Sequence, residues 1–262
     1  KKTKANYINQ KISLPFTSNE QFIKEFTKGI TDKTKVIFLS HITSSTALIF
    51  PVKEICKIAR KKNILCIIDG AHVPGHIDLS IKDLNPDVYV GACHKWMCAP
   101  KGISFLYVNK NIQNQIDPLI VSWGYESDTP SQSQFLDYHQ WQGTKDMSSY
   151  VIIPDVIDFL KQHNWQEYSK KCRELNVWAK EKINHILNKE ELCNNKFLGQ
   201  MNSIYINKEA TIDFHIYFYK KYKIQIPFMI WNNISLVRVS IQVYNSKEDI
   251  YKLLDAMKKE ML

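Results

Sequence analysis

The stretch DVYVGACHKWMCAPKG, residues 87–102, sets His94 and Lys95 side by side where a strand-like run gives way to a turn. DVYVG (87–91) has the β-branched and aromatic character of a strand, and GISFLYV (102–108) is a second such run. Lysine belongs ordinarily on a solvated surface. Lys95 stands instead at the end of an apolar strand, directly before Trp96. Burying a lysine there is costly unless the amine is paired or used chemically.

Working outward, ILCII (64–68) is a wholly apolar run that stops at Asp69, as a buried parallel strand does. KVIFLS (35–40) ends in the polar cluster HITSST. Pro51 then opens PVKEICKIARKKN, with apolar residues at 52, 55, 58 and 59. Proline suits a first helical turn, where its missing N–H would have had no partner. Strands alternating with helical or looped crossovers predict an α/β domain with a mostly parallel sheet. Ligands bind beyond the carboxyl ends of the strands in such sheets. If the two strands are parallel and close, Asp69 and Lys95 meet in one crevice.

Residues 109–150 are polar and irregular, carrying SWGYES and WQGTKDMSS. A long helical pattern runs from about Ser149 through Leu187. The tail mixes MNSIYI, TIDFHIYFYKKY, KIQIPF and ISLVRVSIQV. It closes on a segment opening SKED, a capping-box pattern of Ser246 and Asp249, followed by an apolar face of Ile250, Leu253, Leu254 and Met257. The organisation expected is a partial large domain over 1–150, then a linker helix and a small α+β domain over 151–262. Trp96 and Trp123 are expected to pack, and Tyr244 and Asn245 to shape the turn after the last strand.

The 262 residues, 44% of them hydrophobic, suffice for a large domain plus a smaller one. A net charge of +9 invites a nucleic-acid reading. The lysines are scattered over water-facing positions, however, and no nucleic-acid motif is present, so no such partner is expected. No apolar run approaches the ~18 residues of a membrane span. The six cysteines form no C-x-x-C pair, which supports neither a disulfide framework nor a metal site and suits a reducing, cytoplasmic setting. The opening KKTKANYINQ has no apolar signal core. With Lys1 first and few residues ahead of Asp69, the chain is expected to be the C-terminal part of a longer protein.

IIDGAHVPGHIDLSIKDLNPDVYVGACHKWMCAPKGISFLYV resembles the core of class V aminotransferase-type enzymes, most of all their isopenicillin N epimerase-like branch, with an aspartate in DGAH and a lysine in HKW. HITSSTALIFPVKEI, SWGYES, WQGTKD and VRVSIQVYNSKEDI follow the family's order. The likeness therefore runs from Lys35 onward, apart from a divergent stretch around 160–225. It implies a fold type I, PLP-dependent transferase-like large domain, pyridoxal 5'-phosphate as cofactor, an amino-acid substrate, and a homodimer with shared sites.

The resemblance also implies roles. Lys95 would form the Schiff base with the cofactor and move the substrate α-proton, and Asp69 would pair with the pyridinium nitrogen. His72 stands where desulfurase-like relatives carry a glutamine near the ring hydroxyl, and His94 would touch the phosphate. Ser44 stands where relatives carry an asparagine or small polar group close to the ring hydroxyl, and Thr43 beside it joins the cofactor site, although both could instead cap the helix starting near Pro51. Gly143 and Thr144 match a motif that binds the neighbouring subunit's phosphate through backbone N–H groups and a hydroxyl. Arg238 matches the arginine that grips the substrate carboxylate with two parallel hydrogen bonds.

Two departures narrow the activity. Ala92 stands where desulfurases carry a serine or threonine. No cysteine lies between Met201 and Arg238, so persulfide chemistry lacks its nucleophile. The expected activity is epimerase or class V aminotransferase chemistry at the α-carbon of an amino acid, an isomerase or transferase. The alternatives are a C–S lyase or desulfurase-like enzyme, or a non-catalytic scaffold of the same fold.

Overall fold

Alternation along Val36–Ser40 sends Ile37 and Leu39 into an apolar layer and leaves Val36 and Phe38 exposed on the other side. This strand, β1, opens the first sheet of the computed structural model, which describes residues 4–262, so that Lys1–Thr3 of the opening segment lie outside the described residues. The chain runs α1 (Asn19–Thr27), β1, α2 (Val52–Lys61), β2 (Leu65–Asp69), α3 (Ile81–Leu84), β3 (Val88–Ala92) and β4 (Ser104–Val108). Four helices follow: α4 (Gln134–Gln140), α5 (Ser148–Val151), α6 (Ile153–Gln162) and α7 (Trp165–Leu187). Then come β5 (Met201–Tyr205), α8 (Ile212–Tyr222), β6 (Phe228–Trp231), β7 (Ile234–Ser240) and α9 (Lys247–Met261).

The first sheet has the order β1-β2-β3-β4, parallel across the first two pairings and antiparallel at β4. This is the α/β architecture with a mostly parallel sheet that the strand pattern predicts. In register, Ser40 lies opposite Asp69 and Asp69 opposite Val90, which brings three carboxyl ends level. One face packs Cys66, Ile68 and Tyr89 against Ile55, Cys56 and Ala59 of α2, with Phe16, Phe22 and Phe197 completing the layer. The other face is covered only in part, where Ile112 and Phe135 meet Val88 and Val108. Phe38, Val90 and Leu106 remain exposed on it.

The second sheet is antiparallel, in the order β5-β7-β6. Its core joins Ile183 of α7, Phe214 and Phe218 of α8, Val237 and Val239 of β7, and Leu253 and Met257 of α9. The capping box opening α9 forms as its sequence predicts: the Ser246 side chain accepts from Asp249 N–H, and the Asp249 carboxylate accepts from Ser246 N–H at 3.0 Å. Asn245 likewise closes the preceding turn, accepting from Gln242 N–H at 2.8 Å. Near the N-terminus, the Phe16 N–H donates to the Leu192 carbonyl at 2.9 Å, tying the opening segment to the residues ahead of β5.

Three expectations are corrected. The helical pattern from Ser149 to Leu187 is not one helix, because it breaks at His163–Asn164, where Asn164 adopts φ 51°. Asparagine tolerates that left-handed conformation. The break turns α7 so that the Trp165 indole N–H donates to the Gly75 carbonyl at 2.7 Å. Trp123 does not pack; it is 90% exposed in the apolar run that also exposes Leu119 and Val121. The first helix after Pro51 starts without a side-chain cap, so neither Thr43 nor Ser44 caps it. Among the described residues, no helix is long and apolar enough to cross a membrane.

Candidate active site

Parallel pairing of β2 with β3 puts Asp69 and the loop carrying His94 and Lys95 at the same end of the sheet. Asp69 is half-buried. One carboxylate oxygen accepts from Ala71 N–H at 2.9 Å and the other from the Ser40 hydroxyl at 3.3 Å. The loop after β2 then delivers His72, which is 8% exposed. Its Nε2 lies 3.3 Å from Lys95 Nζ, and its Nδ1 accepts from the Trp96 indole N–H at 3.4 Å.

Lys95 itself is not buried, contrary to the sequence expectation. Trp96, 8% exposed, takes the place in the apolar layer, beside Ile42, Val73 and Met201, and leaves Lys95 at the open rim. The lysine pKa is still held below its ordinary value. Partial burial of the amine is the largest cause, and Arg238 adds to it while Asp69 opposes it. His72 is pushed down to about 3, first by burial and then by the charges of Lys95, Arg238 and His76. It is a neutral imidazole throughout the physiological range.

The two loops fit closely because of Gly75. Its φ is +78°, and a Cβ there would fall 2.6 Å from the Met97 nitrogen and 2.7 Å from the Trp96 carbonyl carbon. Behind them, His76 is 3% exposed and stacks on the Trp96 ring with centroids 4.2 Å apart. Its Nδ1 donates to the His72 carbonyl at 2.8 Å, and its Nε2 accepts from Gln200 N–H at the start of β5. His41, under the same sheet end, meets the Tyr89 hydroxyl at 3.1 Å.

Arg238 reaches this end from the second sheet. Its Nη1 donates to the Ser44 carbonyl at 2.8 Å and to the Ser44 hydroxyl at 3.1 Å, while its buried Nε has no partner among the described residues. Thr43 is occupied within its own turn, where its hydroxyl accepts from Leu48 N–H at 2.8 Å and meets the Thr46 hydroxyl at 2.6 Å. His94 Nδ1 donates to the Ile103 carbonyl at 3.0 Å, which fastens the ring to the turn before β4. Gly143 adopts φ +105° and Thr144 is exposed; no hydrogen bond joins either to the Lys95 cluster.

The site thus gathers Asp69, His72, Lys95, Arg238 and Ser44. The structure adds His76, which the sequence does not single out, and gives Trp96 more than a packing role. Nothing local marks His76, because its partner at Gln200 is 124 residues away. The signal for Trp96 was available: a buried indole N–H needs an acceptor.

A family model described as Aminotransferase class-V matches residues 9–253. The chain is similar to an isopenicillin N epimerase of Amycolatopsis lactamdurans, at 28% identity over 94% of this chain and 65% of that protein. It is also similar to an L-cysteine desulfhydrase of Arabidopsis thaliana, at 24% identity over 95% of this chain and 61% of the relative. Among solved structures, an apo cysteine desulfurase from Thermococcus onnurineus NA1 superposes with a TM-score of 0.75 at 18% identity, covering 93% of this chain and 62% of that one. The chain therefore spans less than two thirds of the length of these relatives.

Proposed function

Since the chain belongs to the class-V aminotransferase family, we propose that it carries the lysine side of the active site of a pyridoxal 5'-phosphate-dependent enzyme acting at the α-carbon of an amino acid. The observation that carries this reading is the placing of Asp69 and Lys95 beyond neighbouring parallel strands, with the lysine amine held against a neutral histidine. The residues fit the cofactor. A carboxylate suits a protonated ring nitrogen, an amine of lowered pKa suits an aldehyde, and the unpartnered Arg238 Nε marks donor capacity left for an anion.

When bound, the cofactor supplies an electron sink that stabilises negative charge at the substrate α-carbon. Lys95 would hold the cofactor and serve as the base that moves the α-proton. Asp69, oriented by Ala71 N–H and the Ser40 hydroxyl, would pair with the protonated ring nitrogen. His72 would serve the ring hydroxyl and His94 the phosphate, while Ser44 is held by Arg238. Arg238 binds the substrate carboxylate, and its bonds to Ser44 fix the guanidinium plane. Gly143 and Thr144, which make no hydrogen bond to this cluster, would serve the phosphate of a second subunit in a homodimer. Residues 1–150 hold the cofactor, and 151–262 supply the linker and the small domain.

Epimerisation or transamination is favoured over persulfide transfer. The region from Met201 to Arg238 has no thiol, and Cys193 is 3% exposed with its thiol pushed up to about 12 by burial. A C–S lyase needs no such thiol and is the second reading, which the desulfhydrase relatives favour. The test is the absorbance of the protein with added pyridoxal phosphate beside Lys95→Ala. A visible-edge band that requires Lys95 is expected, followed by turnover in an amino-acid screen. A folded protein with no lysine-dependent band overturns the reading.

A further inference from the structure

We propose that Trp96 is a positioning residue whose indole N–H, bonded to Nδ1 of His72, holds that imidazole as its Nε2–H tautomer and so disfavours the ammonium form of Lys95 relative to the uncharged, nucleophilic amine. An indole N–H can only donate, and a neutral imidazole has one donor and one acceptor nitrogen. With Nδ1 accepting from Trp96 at 3.4 Å, the ring proton sits on Nε2, which lies 3.3 Å from Lys95 Nζ. An ammonium group has three donors and no acceptor, so it would meet Nε2–H donor to donor. The uncharged amine has a lone pair and accepts. The opposite tautomer would suit an ammonium, but it would leave the buried indole N–H facing another N–H, unpaired and costly.

The surroundings allow Trp96 no retreat. His76 stacks on its ring, Ile42, Ala47, Val73 and Met201 pack around it, and Gly75 brings the His72 loop against its backbone. The charged and titratable groups facing the pair are Asp69, Arg238 and His76. Asp69 favours a charged lysine, while Arg238 disfavours charge on both Lys95 and His72, and His76 disfavours it on His72. Burial outweighs them all for both groups and acts in the same direction as the tautomer. The use made of the free amine rests on the function proposed above, whereas its ionisation does not.

The test is therefore made without cofactor. Acetylation of Lys95 by acetic anhydride, followed by mass spectrometry across a pH series, gives the titration midpoint of this one amine. Trp96→Phe keeps the ring and its stacking but removes the N–H. The midpoint should rise, and labelling near neutral pH should slow by roughly tenfold, equivalent to a rise of about one pH unit. In a His72→Ala background, which has no side-chain donor or acceptor to hold, Trp96→Phe should change nothing further. An unchanged midpoint in folded Trp96→Phe, or an equal change in the His72→Ala background, overturns the proposal. Should Trp96→Phe fail to fold, nitrogen NMR of His72 in the unsubstituted protein decides: an unprotonated Nδ1 and a protonated Nε2 are expected, and the reverse overturns it. A protein that fails to bind pyridoxal phosphate leaves this measurement intact, so the two readings fail separately.

Discussion

Three buried histidines make the protein acid-labile. His41 and His76 are held at about 4 and His72 at about 3, against an ordinary value of 6.5, with burial as the largest cause in each case. A histidine with a depressed folded pKa contributes fully above the unfolded value, and its contribution is lost as pH falls from there toward the folded value. Between about pH 7.5 and 5, each group therefore costs about 2 kcal/mol and the three together about 6. That is comparable with the whole stability of a typical domain, about 5–15 kcal/mol. Carboxylates held low, such as Glu260 beside Lys221, titrate below this window and do not confuse it.

His76→Gln isolates one of the three. Its amide can accept from Gln200 N–H and donate to the His72 carbonyl, but it does not titrate. Urea unfolding followed by circular dichroism should show a loss of about 6 kcal/mol over that interval for the parent protein and about 4 for the variant. Equal losses in the two proteins, or a parent stability that is flat to about pH 5, would refute the reasoning.

Two further perturbations probe the geometry. Gly75→Ala puts a methyl group against the Met97 and Trp96 backbone in a left-handed conformation; a loss of about 1–3 kcal/mol in thermal or urea melts is expected, and an unchanged melt would show that the two loops are not tightly joined. If Arg238 binds the substrate carboxylate as proposed, Arg238→Gln should remove a charge-assisted grip of about 2 kcal/mol and raise KM roughly thirtyfold in steady-state kinetics, and an unchanged KM would remove Arg238 from substrate binding.

The legible parts of the site were those whose role is written into local pattern. Asp69 ends an apolar run and Lys95 follows one, so each declares itself as a strand-end group. Parallel pairing in neighbouring positions then brings them together without further information. Ser246 and Asp249 are three residues apart, and their capping box needs nothing else. His76 is silent in the sequence because its meaning is a contact with the start of β5, whereas Trp96 carries a signal in its one polar atom, the indole N–H, which needs an acceptor once buried. The break at Asn164 escaped because the apolar period continues across it, while the tertiary bond from Trp165 to Gly75 decides the geometry. Trp123 misled in the other direction, since large aromatic residues usually pack and this one does not.

The first sheet has its strands side by side in the order in which the ribosome makes them. Each new strand finds its neighbour already emerged, so the sheet grows by short closures without waiting for distant chain. The β5-β7-β6 sheet has no such order, because its central strand is the last of the three to be made, and the bond from Phe16 to Leu192 waits for the residues just ahead of β5. Asp69 and Lys95 can thus be fixed relative to one another well before Arg238 is synthesised. During synthesis the lysine end of the crevice comes first, and the arginine that closes it comes last.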